Sequence, residues 1–335
     1  MPEWNTRQVG RTALRVTEIG LGTATLAGRR FNISQATGQA IVRAAWEAGI
    51  RYVDTAPFYG VGAAEHRVGD ALRHEDRDSW VLSTKVGRLL KPHPGARQTH
   101  DGGLSHFPFD VVYDYSYDGI MRSVEDSFQR LGLAKIDILF VHDIGVVEHG
   151  VEQNAHHMKV LRESGYKALE ELKRGGVCSA FGLGVNEKEV ILDVMAWGDW
   201  DVFLLAGRYT LLEQGPLDDL LPLCEQRGAS IVVGGPLNSG ILAGRETWNY
   251  APAPAEIVER VKRIQAVCDT HNVPLSAAAF QFPLAHPAVC AIIPGPRDAD
   301  EFNANVPMFT YPIPGALWSD LKSAGVLRQD APVPK

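Results

Sequence analysis

Four residues in the first half of the chain are of types that could together move a proton: Asp54, Tyr59, Lys85 and His142. Asp54 closes the apolar run "RYVD", and Tyr59 follows five residues later within "YVDTAPFYG". Lys85 stands in "LSTKVG" and His142 in "LFVHD", each again at the end of an apolar stretch. A charge taken out of water is costly unless paired, and lysine is rarely buried without a partner. Lys85 is therefore the expected cation for Asp54. A phenol, with an ordinary pKa of about 10, is a poor acid or base near neutrality. An ammonium beside it stabilises the phenolate and lowers that value. With Asp54 holding Lys85, and His142 hydrogen-bonding a substrate oxygen or relaying a proton, Tyr59 becomes an acid–base group for a carbonyl or alcohol oxygen. Taken singly, Asp54 reads as a helix cap, Tyr59 as a packed aromatic and His142 as a core histidine. No Ser–His or Cys–His pair stands out and no metal-ligand spacing such as HExxH occurs, so no metal is expected.

The elements that must position these groups alternate along the chain. "QVGRTALRVTEIGLGTA" reads as a hairpin and a strand ending near Gly22. Strands "RYVDTA", "SWVLSTKVG", "IDILFVHD", "AFGLGV", "VFLLAGRY", "SIVVGGP" and "AVCAIIPG" then alternate with helical segments that begin at capping residues and end at Gly49, Gly175 and their like. "DGIMRSVEDSFQRLGL", for example, puts Ile120, Val124, Phe128 and Leu131 on one face. Several strands are apolar throughout, as in a parallel sheet buried on both faces. Eight strand–helix units predict a (β/α)8 TIM barrel with an N-terminal β-hairpin, all in a single domain over 1–335. A doubly wound open sheet would show GxGxxG after its first strand, and "GLGTAT" is not that. In a barrel, Asp54, Lys85 and His142 end strands two, three and four, which are neighbours, and Tyr59 lies just beyond. All four converge on the C-terminal face, where barrel active sites form. Two stretches interrupt the rhythm on that rim, residues 88–114 and 144–157, and read as long loops that shape a pocket.

The bulk numbers fit an ordinary enzyme. The 335 residues are 45% hydrophobic and 22% charged, with net charge −7. That balance excludes the clustered basic footprint of nucleic-acid binding and favours solubility. Cys178, Cys224, Cys268 and Cys290 form no CxxC and lie in apolar surroundings, so buried reduced thiols and a cytoplasmic location are expected. The polar start "MPEWNTRQVG" lacks a secretory h-region, and no apolar run reaches the roughly 18 residues of a membrane span.

"YVDTAPFYG", "STKVG" and "FVHD" resemble the aldo-keto reductases, (β/α)8-barrel oxidoreductases that use a nicotinamide cofactor. "GRTALRVTEIGLGT", "GRYTLLEQG", "GGPLNSGIL" and "IIPGPRDADEFNAN" extend the likeness over essentially the whole chain. It implies that Tyr59 is the general acid–base, supported by Asp54, Lys85 and His142, and that the cofactor carries the hydride. It also implies cofactor contacts at Gly22, Thr23, Asp54, Asn186, Tyr209, Leu237, Ser239, Gly295, Arg297, Glu301 and Asn305. The chain departs from the family pattern at three places. Asn186 follows Val185 where a Ser-Asn pair is common, Ala206 replaces a common Gln, and Gly234 stands where an aromatic often stacks on the nicotinamide. Gly295 and Glu301 fall where NADP-using members place Lys and Arg, with Arg297 between them. A carboxylate repels a phosphate and accepts from a ribose 2′-hydroxyl, so NAD is expected over NADP.

Within the family, "FGLGVNE", "LLAGRYTLLEQG" and "VVGGPLNSGIL" are most similar to a branch that oxidises sugars at C1, and next to the pyridoxal dehydrogenases. Both substrate types exist largely as cyclic hemiacetals. The resemblance implies removal of the hemiacetal hydroxyl proton by Tyr59 with hydride transfer to NAD, giving a lactone. The expected partner is thus a small sugar or pyridoxal-like molecule, with no nucleic acid and no membrane. General aldehyde or ketone reduction is an alternative, and a catalytically idle, cofactor-sensing subunit is a remote one.

Overall fold

A computed structural model describes residues 4–27, 33–95 and 107–335. Residues 1–3 of the N-terminal segment and residues 96–106 of the 88–114 insertion lie outside the described residues. In chain order the strands are β1 (Thr6–Gln8), β2 (Arg15–Thr17), β3 (Leu21–Gly22), β4 (Tyr52–Asp54), β5 (Val81–Val86), β6 (Arg88–Pro92), β7 (Phe109–Tyr113), β8 (Ile138–His142), β9 (Ala180–Val185), β10 (Val202–Ala206), β11 (Ser230–Gly234), β12 (Thr247–Trp248), β13 (Ala251–Pro252) and β14 (Val289–Ile293). The helices are α1 (Gln35–Glu47), α2 (Ala63–Leu72), α3 (Tyr117–Leu131), α4 (Val146–Val160), α5 (Tyr166–Arg174), α6 (Glu189–Met195), α7 (Leu220–Arg227), α8 (Ala255–Thr270), α9 (Leu275–Gln281), α10 (Ala299–Asn305) and α11 (Gly315–Ser323).

Eight parallel strands run in the order β3-β4-β5-β8-β9-β10-β11-β14. The ends of that sheet meet: Ile19 bridges Ile292, Gly20 N–H donates to Ile292 O at 2.8 Å and Gly22 N–H to Pro294 O at 2.9 Å. The result is a (β/α)8 barrel, as the alternation predicts. Side chains alternate across each strand. Tyr52, Val81, Ile138, Phe140, Val202, Leu204 and Val232 fill the interior, with Val9 and Val16 from the β1–β2 hairpin in the same cluster. Val53, Leu82, Leu139, Val141, Phe203 and Leu205 instead join the helix layer. Asp54, Lys85 and His142 share the interior parity of Tyr52, Val81 and Phe140, so the period of two alone carries them into the barrel mouth.

The helix boundaries follow local chemistry. Ser34 caps α1 by accepting from Thr37 N–H at 3.0 Å, and Ser116 caps α3 by accepting from Gly119 N–H at 3.2 Å; such caps contribute about 1 kcal/mol each. Gly132, at φ +64°, ends α3. Of its expected apolar face, Ile120, Val124 and Leu131 are buried, while Phe128 is only half-buried. The four cysteines are free thiols and buried. Burial pushes Cys178, Cys224 and Cys290 up to about 12 and Cys268 up to about 11, so all four stay protonated at neutral pH.

Both rim stretches differ from the loop reading. Arg88–Pro92 and Phe109–Tyr113 pair as an antiparallel hairpin, Leu90 opposite Val111. Residues 144–157 are mostly helix: α4 starts at Val146, breaks locally at Gly150 (φ +70°), and runs through a π-turn at Leu161–Gly165 into α5. The only buried residues of α4 are Asn154 and His157, both polar, so no hydrophobic period marks it. No helix among the described residues is long and apolar enough to cross a membrane.

Candidate active site

The strand ends bring Asp54, Lys85 and His142 to one mouth of the barrel, with Tyr59 on the turn after β4. Asp54 Oδ2 accepts from Lys85 Nζ at 2.7 Å, and Asp54 Oδ1 from Ser83 Oγ at 2.7 Å. Lys85 Nζ also donates to Thr55 O at 2.9 Å. Because Ser83 spends its hydrogen on Asp54, the Tyr52 hydroxyl, 3.2 Å away, is the donor to Ser83. Burial holds the Tyr52 phenol well above its ordinary range, so that donor stays neutral. Burial also pushes the Asp54 carboxyl up, against the opposing pull of Lys85 and Ser83. Lys85 and Asp54 are each about 1% exposed, so little water screens the pair. Gly184 on β9 completes the lysine's seat: a Cβ there would stand 3.3 Å from Lys85 Cε and 3.2 Å from Phe140 Cβ.

Tyr59 and His142 join this pair through their rings. Lys85 Nζ lies 4.8 Å from the Tyr59 ring centroid, and the Tyr59 and His142 rings meet edge-on at 5.7 Å. Phe58 also meets His142 edge-on, at 5.9 Å. Behind Phe58 lies Arg88, 1% exposed, its guanidinium 4.2 Å from the Phe58 ring centroid. Arg88 Nη2 donates to Asp143 Oδ2 at 2.7 Å and reaches Glu148 Oε1 at 3.2 Å. Asp143 Oδ2 is 3.4 Å from His142 Nε2, and Asp143 Oδ1 accepts from Asn186 Nδ2 at 3.1 Å. Motifs and spacing did not single out Ser83, Arg88, Asp143 or Gly184. Ser83 alone carried a signal, lying two residues before Lys85 and hence on the same strand face.

The candidate cofactor residues fall into three places. Gly22 and Thr23 adjoin Asp54: Thr23 N–H donates to Asp54 O at 3.1 Å, and a Cβ on Gly22 would come within 2.7 Å of Ile293 O. Gly295 packs beside them, 3.2 Å from Gly22 O to a Cβ built there. Asn186 joins the Asp143 side and also accepts from the Tyr250 hydroxyl at 3.3 Å. Leu237 and Ser239 belong to the turn after β11, where Ser239 Oγ accepts from Tyr250 N–H at 3.0 Å. Arg297 and Glu301 lie beyond β14: Glu301 Oε2 accepts from Arg297 N–H and Nε at 3.0 Å each, and Glu301 Oε1 accepts from Arg245. Asn305, half-buried, closes α10. Tyr209 stands apart. It is fully buried, with its ring 5.5 Å from Phe282 and 5.8 Å from His286, in the layer between strands and helices.

The mouth suits a dinucleotide. Among the described residues, Thr23 Oγ1 and Thr55 Oγ1 are buried beside Asp54 without a hydrogen-bond partner. Asn238, Ser239 and Gly240 follow one another at φ +47°, +59° and +100°. Two amides of that turn are already engaged, Asn238 N–H on Gly235 O and Gly240 N–H on Leu237 O, at 2.9 Å each. Ala206 and Gly234 are paired at the ends of β10 and β11, so no aromatic ring rises from either position.

The aldo/keto reductase family model matches residues 18–325, and the chain belongs to that family of oxidoreductases, whose members use nicotinamide cofactors. It is 46% identical to pyridoxal 4-dehydrogenase of Microbacterium luteolum, over 96% of this chain and 97% of that one. It is 36% identical to D-threo-aldose 1-dehydrogenase of a Pseudomonas species, over 94% and 95% respectively. Among solved structures it resembles the holo form of an aldo-keto reductase from Bacillus halodurans, with TM-score 0.75, 25% identity and 96% of each chain covered.

Proposed function

We propose that this protein is an NAD-dependent dehydrogenase that oxidises a cyclic hemiacetal to a lactone, with pyridoxal as its substrate. The observation that carries the reading is the placement of Lys85 Nζ, held by Asp54 and Thr55, 4.8 Å from the Tyr59 ring with the His142 ring at its edge. Tyr59, as the phenolate that the nearby ammonium stabilises, takes the hemiacetal hydroxyl proton at Oη and becomes the neutral phenol. His142 orients the same substrate oxygen. A bound nicotinamide supplies the acceptor for the hydride leaving carbon. Gly22, Thr23, Leu237, Ser239, Arg297 and Asn305 are the residues that would hold that cofactor.

Pyridoxal is placed first because of the 46% identity and because Phe58 and Tyr59, both edge-on to His142, offer flat apolar surface to a pyridine ring. An aldopyranose such as L-fucose is the second reading. It is favoured by the 36% identity and by Asp143 and Asn186, polar groups beside His142 suited to sugar hydroxyls. The deciding experiment follows absorbance at 340 nm with pyridoxal, L-fucose, D-arabinose and L-galactose, each with NAD+ and NADP+. Pyridoxal with NAD+ is expected to give the highest kcat/KM. A sugar in first place would reverse the substrate order, and silence with every pair would favour an idle, cofactor-sensing role.

The preference for NAD rests on Glu301. Its carboxylate engages Arg245 and Arg297 together and offsets one of their two positive charges, so a further phosphate would have to compete with it for both guanidinium groups. Glu301→Gln removes the negative charge that competes for both guanidinium groups, so NADP+ use should rise about tenfold relative to NAD+, a change of about 1.4 kcal/mol. An unchanged ratio of kcat/KM for the two cofactors would refute this placement.

A further inference from the structure

Tyr115 and His149 are titratable groups that the reaction above does not use. Tyr115 is buried between β7 and α3, and His149 is half-buried on α4. Tyr115 Oη lies 2.9 Å from the carbonyl oxygen of His142 and 2.9 Å from His149 Nε2. A phenol has one hydrogen and a carbonyl can only accept. Tyr115 therefore donates to His142 O, and a His149 that carries its hydrogen on Nε2 donates to Tyr115 Oη, with the backbone of Asp143 also within the imidazole's hydrogen-bonding reach. Burial keeps both neutral, holding the Tyr115 phenol well above its ordinary range and pushing His149 down to about 4, with His157 adding to the latter.

The peptide they reach is the one that follows the candidate catalytic imidazole. Its N–H, on Asp143, donates to Gly184 O at 2.9 Å. Asp143 itself sits at φ +44°, a left-handed conformation uncommon for residues with a Cβ, though aspartate enters it more readily than most. Arg88 and Asn186 hold its carboxylate, and Tyr115 holds the carbonyl end of the same peptide. The seat for the Tyr115 ring is built in. Gly87, two residues after Lys85 and at φ +92°, lies so close that a Cβ there would come within 2.4 Å of the ring.

We propose that Tyr115, steadied by His149, is a positioning residue for His142: it fixes the peptide behind the imidazole and so sets where His142 meets the substrate oxygen. The inference rests on the reading that His142 faces the substrate. It also makes α4, the rim segment after β8, a mechanical support of the site.

The test compares Tyr115→Phe, His149→Leu, His149→Gln and His142→Gln, with pyridoxal and L-fucose as probes and NAD+ as cofactor. Tyr115→Phe should lower kcat about tenfold to a hundredfold, the scale of a slightly misplaced reacting group. The Kd for NAD+, read by fluorescence quenching, should move by less than about twofold. His149→Leu should lower kcat in the same direction, and His149→Gln, which keeps a donor, should recover most of it. Because the two act in series, the double variant Tyr115→Phe/His149→Leu should be no slower than Tyr115→Phe. Histidine 15N spectra of the intact protein should show His149 protonated on Nε2 at neutral pH. Wild-type kcat in Tyr115→Phe and His149→Leu, with His142→Gln inactive, overturns the proposal and leaves the underlying reading standing. Wild-type kcat in His142→Gln overturns that reading itself. An Nδ1-protonated His149 overturns the donor order. Should Tyr115→Phe fail to fold, the two His149 variants decide the same question.

Discussion

Tyr59→Phe should lower kcat by roughly a hundredfold to ten-thousandfold, the usual contribution of a positioned general acid or base. The substitution removes one oxygen and leaves the ring, so the contacts with Lys85 and His142 that depend on the ring persist. NAD+ affinity and thermal stability should therefore stay close to wild type. The loss should appear in kcat and kcat/KM alike, as expected for an interaction made chiefly in the transition state. Stopped-flow measurement of the first turnover, with pyridoxal and NAD+, separates chemistry from product release. A first turnover as fast as in the wild type would remove Tyr59 from its assigned role and move the proton to another group.

The second large effect is on stability. Asp54→Ala should destabilise the fold by about 3–5 kcal/mol, because it strands the Lys85 ammonium in the barrel interior. Lys85→Met strands Asp54 instead, though that carboxyl has a gentler escape. Burial already pushes it up, and protonation removes the charge. Lys85→Met should accordingly cost less than Asp54→Ala. The double variant Asp54→Ala/Lys85→Met should recover most of the stability while turnover remains lost. Urea unfolding followed by tryptophan fluorescence, together with kcat, tests both halves. A double variant as unstable as the sum of the singles would show that the pair is not the coupled unit its 2.7 Å contact implies.

Much of the barrel was legible because its signals are local. Continuous apolar strands, capping serines and terminal glycines each act within a few residues, and the order of strands then follows from connection length. The candidate reactive groups were legible for a related reason. Asp54, Lys85 and His142 break apolar runs at the same end of neighbouring strands, and the two-residue period fixes which face they share. What escaped is long-range or lacks an apolar period. Helix α4 buries only Asn154 and His157, so its pattern reads as a polar loop. Arg245 meets Glu301 across 56 positions, and Tyr115 meets His142 O across 27. Neither partner marks the other in sequence. Glu301 read alone was a carboxylate awaiting a ribose, and the fold shows it already engaged by two arginines.

Gly184 has a consequence for how such a centre can change. It carries no functional group, yet its missing side chain leaves the Lys85 methylenes room: a Cβ there would stand 3.3 Å from Lys85 Cε. The reach of the ammonium is thus written on the strand two places over in the sheet, as a clearance rather than a contact. Changes at polar positions that touch neither the lysine nor its partners would leave that reach as it is. One methyl group added at residue 184 would press on the lysine directly, and through it on the distance to the phenol. In this barrel a bare position on the wall helps to set where the candidate catalytic lysine can stand.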